Sequence, residues 1–314
     1  MSDASRIAFV YPGQGSQHPG MGRGVHDAFA EARAVFDEAG AALPMSITEL
    51  CFEADEDTLR RTENTQPAIL TVSAALHRVL AANGLQPGWV AGHSLGEYSA
   101  LVAAGALPLG AAVELVHHRG RYMQEAVPEG EGAMAAVLGL DTDHVARICA
   151  AQGDQGVVEV ANVNAPGQVV IAGHRQPVEK AVAAAKQSGA RRASMLNVSA
   201  PFHCSLMQPA ADRLAPELQA APFADPAVPV VSNVDAAAVT TASAARDALM
   251  RQVTQPVRWS ETLALLAAQG VDVFVEVGPG RVLSGLVKRT LGREVAIYSV
   301  DEREELDAVL QALA

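Results

Sequence analysis

The sequence predicts an α/β fold, a large hydrolase-like unit with a parallel-sheet core and a small ferredoxin-like (βαββαβ) unit inserted in it. Two observations carry that prediction. At both ends of the chain, short apolar runs alternate with stretches of helical periodicity, the pattern of strands joined through crossover helices that cover both faces of a parallel sheet. Between about residues 130 and 198 this rhythm changes to strand, helix, strand, strand, helix, strand. Because α/β-type elements resume afterwards, the expected organisation is a discontinuous large subdomain, 1–129 and 199–314, around a small one, 130–198.

Taken in order, residues 6–11 (RIAFVY) are an apolar run stopped by Pro12-Gly13, a strand and its turn. Residues 65–82 carry apolar side chains at helical spacing, with Thr65 as the expected cap and Pro67 near the start. Trp89-Val90-Ala91 reads as a brief strand, followed by the turn GHSLG and a helix to about Gly105; residues 109–126 form another helix. In the inserted unit the strands are AMAAVLG, VVEVANV, QVVIAG and RRASMLNV, and the helices are DTDHVARICAAQ and QPVEKAVAAAKQSG. Near the end, 272–277 (DVFVEV) is a strand, GPG a turn, 281–292 a helix and 295–300 (VAIYSV) a last strand before a C-terminal helix. A crevice between two such lobes is the natural place for a substrate.

Composition narrows the function. The 314 residues are 49% apolar and 18% charged, enough for a large core and without a disordered tract. A net charge of −12 argues against nucleic-acid binding, which draws on clustered Lys and Arg. The start, MSDASRIAFVYPG, has neither a basic leader nor an apolar stretch of signal length, and no 18-residue apolar run follows. A cytoplasmic chain with no membrane contact is the expectation. Cys51, Cys149 and Cys204 are widely spaced and form no CxxC pair, so neither a disulfide framework nor a metal site is expected.

The strongest local signal is Gly92-His93-Ser94-Leu95-Gly96, a GxSxG between a short strand and a helix. Such a turn lifts the serine hydroxyl out of the sheet and sets it at a helix N-terminus, where free N–H groups and the helix dipole favour an oxyanion. The pattern also arises by chance in a Gly-rich chain. A serine needs a base at neutral pH. Of nine histidines, His77, His117, His118 and His144 fall on predicted helices, where solvated or packing roles are the ordinary ones. His203 stands apart in SAPFHCSLM, where the inserted unit ends and a nearby proline favours extended backbone. The HGGG oxyanion loop of α/β-hydrolases is absent; the first strand leads into Pro12-Gly13-Gln14-Gly15-Ser16-Gln17. On helix 109–126, Ala112, Leu115, Val116, Arg119, Tyr122, Met123 and Ala126 share one stripe. An arginine there needs an anionic partner, either an internal acid or a ligand carboxylate matching its planar fork.

Together these pieces resemble the malonyl-CoA:acyl carrier protein transacylase family. The matching segments are PGQGSQ (12–17), TQPA (65–68), GHSLGEYSAL (92–101), RGRYMQEAVPEGEGAM (119–134), NVNAPGQVVIAG (162–173), APFHCSLM (200–207), RQVTQPVRW (251–259) and EVGPGRVLSGL (276–286). They run through essentially the whole chain in family order.

The resemblance implies roles. Ser94 is the expected nucleophile and His203 its base, with the backbone N–H groups of Gln14 and Leu95 as oxyanion hole. Arg119 is expected to bind the malonyl carboxylate, Gln252 to support the site near His203, and His93 and Asn162 to line the crevice. In this family backbone carbonyls orient the histidine, so no triad acid is expected. Phe202 before His203 follows the pattern of malonyl-preferring polyketide acyltransferases, a bulky ring crowding a branched α-carbon. The implied reaction is ping-pong transfer of malonyl from malonyl-CoA to the phosphopantetheine thiol of acyl carrier protein, by a monomer without cofactor. Arg191 and Arg192, with Lys288 and Arg289 behind them, are the candidate basic patch for carrier or CoA, a solvated face being the alternative. A serine hydrolase acting on carrier-bound acyl groups and a catalytically idle acyl-binding subunit are the competing functions.

Overall fold

The computed structural model describes residues 4–198 and 200–313; the expected change-over at Ser199 falls outside the described residues. Ten strands are described: β1 (Ile7–Tyr11), β2 (Trp89–Gly92), β3 (Gly132–Leu138), β4 (Val158–Ala165), β5 (Gln168–His174), β6 (Arg192–Met195), β7 (Val230–Val231), β8 (Ala238–Val239), β9 (Val273–Val277) and β10 (Ala296–Val300). They make two sheets.

The larger sheet runs β10-β9-β1-β2-β7-β8. Its first five strands are parallel, and β8 turns back antiparallel on β7. That closing hairpin departs from the expected parallel order, since two-residue strands leave no period to read. Burial on both faces follows from the alternation of side chains along a strand. In β1, Ile7, Phe9 and Tyr11 join the core that holds Leu76 and Val79, while Ala8 and Val10 join the opposite layer with Trp259, Leu263 and Leu283.

The helix Thr62–Ala82 fills the centre of the first layer and is buried from Thr65 through Leu76. It begins three residues before the expected cap. Thr65 lies inside it, its hydroxyl donating to the Leu59 carbonyl at 2.6 Å, and Arg61 takes the N-cap position. Pro67 has no N–H to give to the carbonyl four residues earlier. His117 Nδ1, from the adjacent helix Leu109–Glu125, supplies that Glu63 carbonyl with a partner at 3.0 Å. The proline is tolerated because a neighbour repairs the missing bond.

The second sheet is antiparallel, in order β4-β5-β3-β6, with helices Thr142–Ala150 and Arg175–Gln187 as crossovers, the expected ferredoxin-like arrangement. Ala135, Val137, Val145, Ile171, Val178 and Ala181 give it a core of its own. Its tie to the larger unit is β4. Val163 N–H donates to the Val257 carbonyl and Val257 N–H to the Ala161 carbonyl, both at 2.9 Å. Register shifts flank Asn162 and Asn164 at this seam, and bulges of this kind re-aim side chains. Among the described residues no helix is long and apolar enough to cross a membrane.

Candidate active site

The elbow after β2 is a strained turn held from outside. Ser94 sits at φ 52°, a left-handed conformation that non-glycine residues adopt only where the surroundings impose it. The two glycines that bracket it cannot carry side chains, because a Cβ on Gly92 would collide with the Gly96 backbone and one on Gly96 with the Tyr11 carbonyl. The amide of Asn233, just beyond β7, clamps the turn. Its Oδ1 accepts from Ser94 N–H and its Nδ2 donates to the Gly92 carbonyl, each at 2.7 Å.

His203 meets this hydroxyl across the crevice, with Ser94 Oγ 2.6 Å from Nε2. Its Nδ1 lies 2.9 Å from the Gln252 carbonyl, an oxygen that only accepts. The ring proton therefore resides on Nδ1, and Nε2 accepts from the serine hydroxyl. Burial, then the nearby Arg119 charge, push the imidazole pKa down to about 3, so the ring is neutral and able to take a proton. The extended backbone expected around His203 is not what forms: the residue is left-handed, φ 60°. The tight reversal brings the ring over Ser94.

Arg119 is the third group at this point. From Ala112 to Met123 the stripe read from the sequence is the buried face of its helix, widened by Leu109, Val113 and Gly120; Ala126 falls just past the helix end and is half-buried, and Arg119 is 1% exposed. One Nη1 bond reaches Gln66 Oε1 at 2.8 Å; Nη2 reaches Gln252 Oε1 at 2.9 Å and Ser94 Oγ at 3.2 Å. The guanidinium carbon lies 5.6 Å from the Tyr98 ring centre, and Nε has no partner among the described residues. Among the described residues no carboxylate bonds it directly. The internal acid that the sequence left open as its partner is absent from its contacts among the described residues, and burial lowers its pKa. The arrangement thus leaves a buried cation able to take an anion beside an activated hydroxyl.

A cavity of about 420 Å³ opens onto these groups, lined by Gln14, His93, Ser94, Leu95, Arg119, Asn162, Phe202 and His203 among others. The N–H groups of Gln14 and Leu95 have no acceptor among the described residues and belong to this wall. His93 donates from Nε2 to Asn164 Oδ1 at 2.8 Å and meets Trp259 edge-on, with ring centres 5.5 Å apart. Gln252 is fully buried behind the wall, touching Arg119 with its side chain and His203 with its main chain. Arg191 and Arg192 are exposed and do not line the cavity; Arg60 does. Lys288 borders a separate shallow recess with Arg293. Sequence reasoning passed over Gln66, Glu97, Asn164 and Asn233. The first three lie inside quoted segments, TQPA, GHSLGEYSAL and NVNAPGQVVIAG, so closer attention to polar residues there would have raised them. Nothing local marks Asn233.

Known proteins resemble this chain over nearly its whole length. The acyl transferase domain family matches residues 8–305. The malonyl CoA-acyl carrier protein transacylase of Escherichia coli (strain K12) is 51% identical over 308 residues, 98% of this chain and 99% of that protein. A crystal structure of an acyl carrier protein S-malonyltransferase from Vibrio cholerae superposes with a TM-score of 0.94 at 45% identity, covering 97% of this chain and 99% of that one. Also at TM-score 0.94 and 45% identity, covering 98% and 99%, is a malonyl-transacylase in complex with its type II PKS acyl-carrier protein. With likeness of this extent running from end to end, the chain belongs to the malonyl-CoA:acyl carrier protein transacylase family and is an acyltransferase.

Proposed function

We propose that this enzyme transfers malonyl from malonyl-CoA to the phosphopantetheine thiol of an acyl carrier protein by way of an ester on Ser94. The observation that carries the reading is a single meeting point: Ser94 Oγ lies 2.6 Å from His203 Nε2 and 3.2 Å from Arg119 Nη2. In the first half-reaction His203 takes the hydroxyl proton as Ser94 attacks the thioester carbonyl. The N–H groups of Gln14 and Leu95 receive the oxyanion, each worth about 3–4 kcal/mol in the transition state. The C–S bond then breaks, and CoA leaves as the thiol after taking the proton from His203. In the second half the carrier thiol gives its proton to His203 and attacks the ester carbonyl, and the acyl C–O bond breaks as His203 returns the proton to Ser94 Oγ. No cofactor enters, because the thioester already carries the activation.

The acyl carboxylate pairs with Arg119, and this has an electrostatic consequence. Arg119 is one reason His203 resists protonation. A bound carboxylate cancels much of that field and makes the imidazole a better base when the acyl group carries an acid. His93, Asn162 and Phe202 shape the space around the acyl chain. We take 130–198 as a small subdomain forming one lip of the crevice, with Arg191 and Arg192 on its outer face as a docking surface for the acidic carrier. Incubation with radiolabelled malonyl-CoA and holo-carrier tests the reading: label on the carrier, little free malonate and a malonyl adduct at Ser94 are expected. Release of malonate as the main product would make it a hydrolase.

A further inference from the structure

Behind the cavity stands a carboxylate that the reaction described above does not use. Glu97 lies in the first turn of the helix Gly96–Ala103, 2% exposed. Its Oε2 accepts from Gln252 Nε2 at 2.6 Å and from Asn233 N–H at 3.2 Å. Gln252 Nε2 spends its other hydrogen on the Ser94 carbonyl at 2.9 Å, and its Oε1 faces Arg119 Nη2 at 2.9 Å.

An amide side chain offers oxygen on one side and N–H on the other, and half a turn about its last torsion exchanges them. In the observed orientation every contact pairs a donor with an acceptor. Reversed, Gln252 would point N–H at a guanidinium and oxygen at a carbonyl and a carboxylate. Ionised Glu97 can only accept, so it opposes the reversal more strongly than any neutral group in its place. We propose that Glu97 is a positioning residue that sets acyl-group selectivity, holding the Gln252 amide so that its oxygen orients Arg119 for an acyl carboxylate.

The inference rests on the assignment of Arg119 to the malonyl carboxylate. It also separates two duties of Gln252. The main-chain carbonyl orients His203, and the side-chain amide orients Arg119. Disturbing Glu97 reaches the second and leaves the first, so an acyl group without a carboxylate should feel it less. The charged and titratable groups around Glu97 are Tyr98 on its own helix, Arg119 from the helix Leu109–Glu125, and Asp235 after β7, itself paired with Arg251. Burial raises the Glu97 carboxyl to about 7, so the lock has its full charge only above that pH.

The test compares malonyl-CoA with acetyl-CoA as donors to holo-carrier, for wild type, Glu97→Gln, Gln252→Ala and the double variant. Glu97→Gln should lower the malonyl-to-acetyl ratio of kcat/KM by about tenfold, the worth of one charge-assisted hydrogen bond. In the Gln252→Ala background the same substitution should change the ratio less than about twofold. Wild-type selectivity should fall as pH drops from 8 to 6, with Glu97→Gln flat over that range; should the variant not fold, this profile decides alone. Equal loss for both donors, or an undiminished effect without Gln252, would overturn the proposal and assign Glu97 to the elbow through Asn233. A wild type that moves no malonyl to the carrier would instead refute the parent reading.

Discussion

The two sheets contribute to one cavity in different ways. From the larger unit come Ser94, Arg119, His203 and the polar groups behind them, each fixed by bonds to buried partners. From the small sheet come Met134, Asn162, Asn164, Gln168, Val170 and Leu196, a wall of mixed polarity that ends in the half-open Met195 and Leu196, each 37% exposed. The strained residues also divide this way: among the described residues Ser94, His203 and Ala236 are the left-handed non-glycines, and none is in the small sheet. Strain persists only where surroundings over-determine the backbone. Buried partners from the large unit supply such surroundings, Asn233 at Ser94 and the Gln252 carbonyl at His203. On this view the large unit holds the reacting groups and the cation for the acyl carboxylate, and the small sheet bounds the rest of the cavity.

The largest effect should come from the elbow. Ser94→Ala should eliminate the acyl adduct and lower transfer by about a thousandfold or more, with the thermal transition close to that of wild type. Intact-mass measurement after malonyl-CoA treatment checks it; an adduct that survives would move the nucleophile elsewhere and end the comparison. Arg119→Ala should cost about a hundredfold in kcat/KM for malonyl-CoA while the relative rate with acetyl-CoA rises. Parallel losses for both donors would make the arginine a structural support.

The clamp on the elbow gives the next prediction. Asn233→Ala strands a buried N–H on Ser94 and a carbonyl on Gly92, and should destabilise the fold by about 2–3 kcal/mol and reduce kcat by about tenfold. Urea denaturation and steady-state kinetics read the two separately. The acid dependence follows from the depressed imidazole. A neutral ring at His203 is available down to about pH 3, so single-turnover acylation by acetyl-CoA, which does not draw on the Glu97 lock, should stay level between pH 8 and 5. A midpoint near 6.5 would indicate an imidazole in ordinary surroundings. For stability the sign is the same. The unfolded chain protonates this histidine below 6.5 and the folded chain only near 3, so its contribution is complete above 6.5 and is lost as pH falls. Glu97 acts in the opposite sense, its contribution full below 4.5 and lost as pH rises through about 7.

Much of this was legible in the residues. β1, β2, β9 and β10 were readable because each is an apolar run ended by turn chemistry, and the inserted unit because six elements in sequence make a distinctive order. The elbow was visible in a GxSxG set between a short strand and a helix. What could not be read is what depends on distance in space. Arg119 showed as an anomaly on an apolar stripe, but its bonds to Gln66 and Gln252 come from residues 53 and 133 positions away. The left-handed turn at His203 had no glycine to announce it. Asn233 bonds an elbow 139 residues before it, and no local pattern encodes that.

The smallest effect should come from the small sheet, and it tests the comparison most sharply. Asn164 reaches across the seam to His93, which lines the cavity beside Ser94. If the wall only shapes the cavity, Asn164→Ala should leave His93 in place. Trp259 still meets the ring edge-on, and the His93 N–H still donates to the Tyr11 carbonyl at 3.0 Å. The loss is then one hydrogen bond between neutral groups, about 1 kcal/mol, or roughly fivefold in kcat/KM and carried mainly by KM. A loss of a hundredfold confined to kcat would mean that the bond between lobes helps to hold the reacting groups in register. The bulged strand β4, tied to Val257 on one side and β5 on the other, would then be part of the catalytic frame and no longer just a wall beside it.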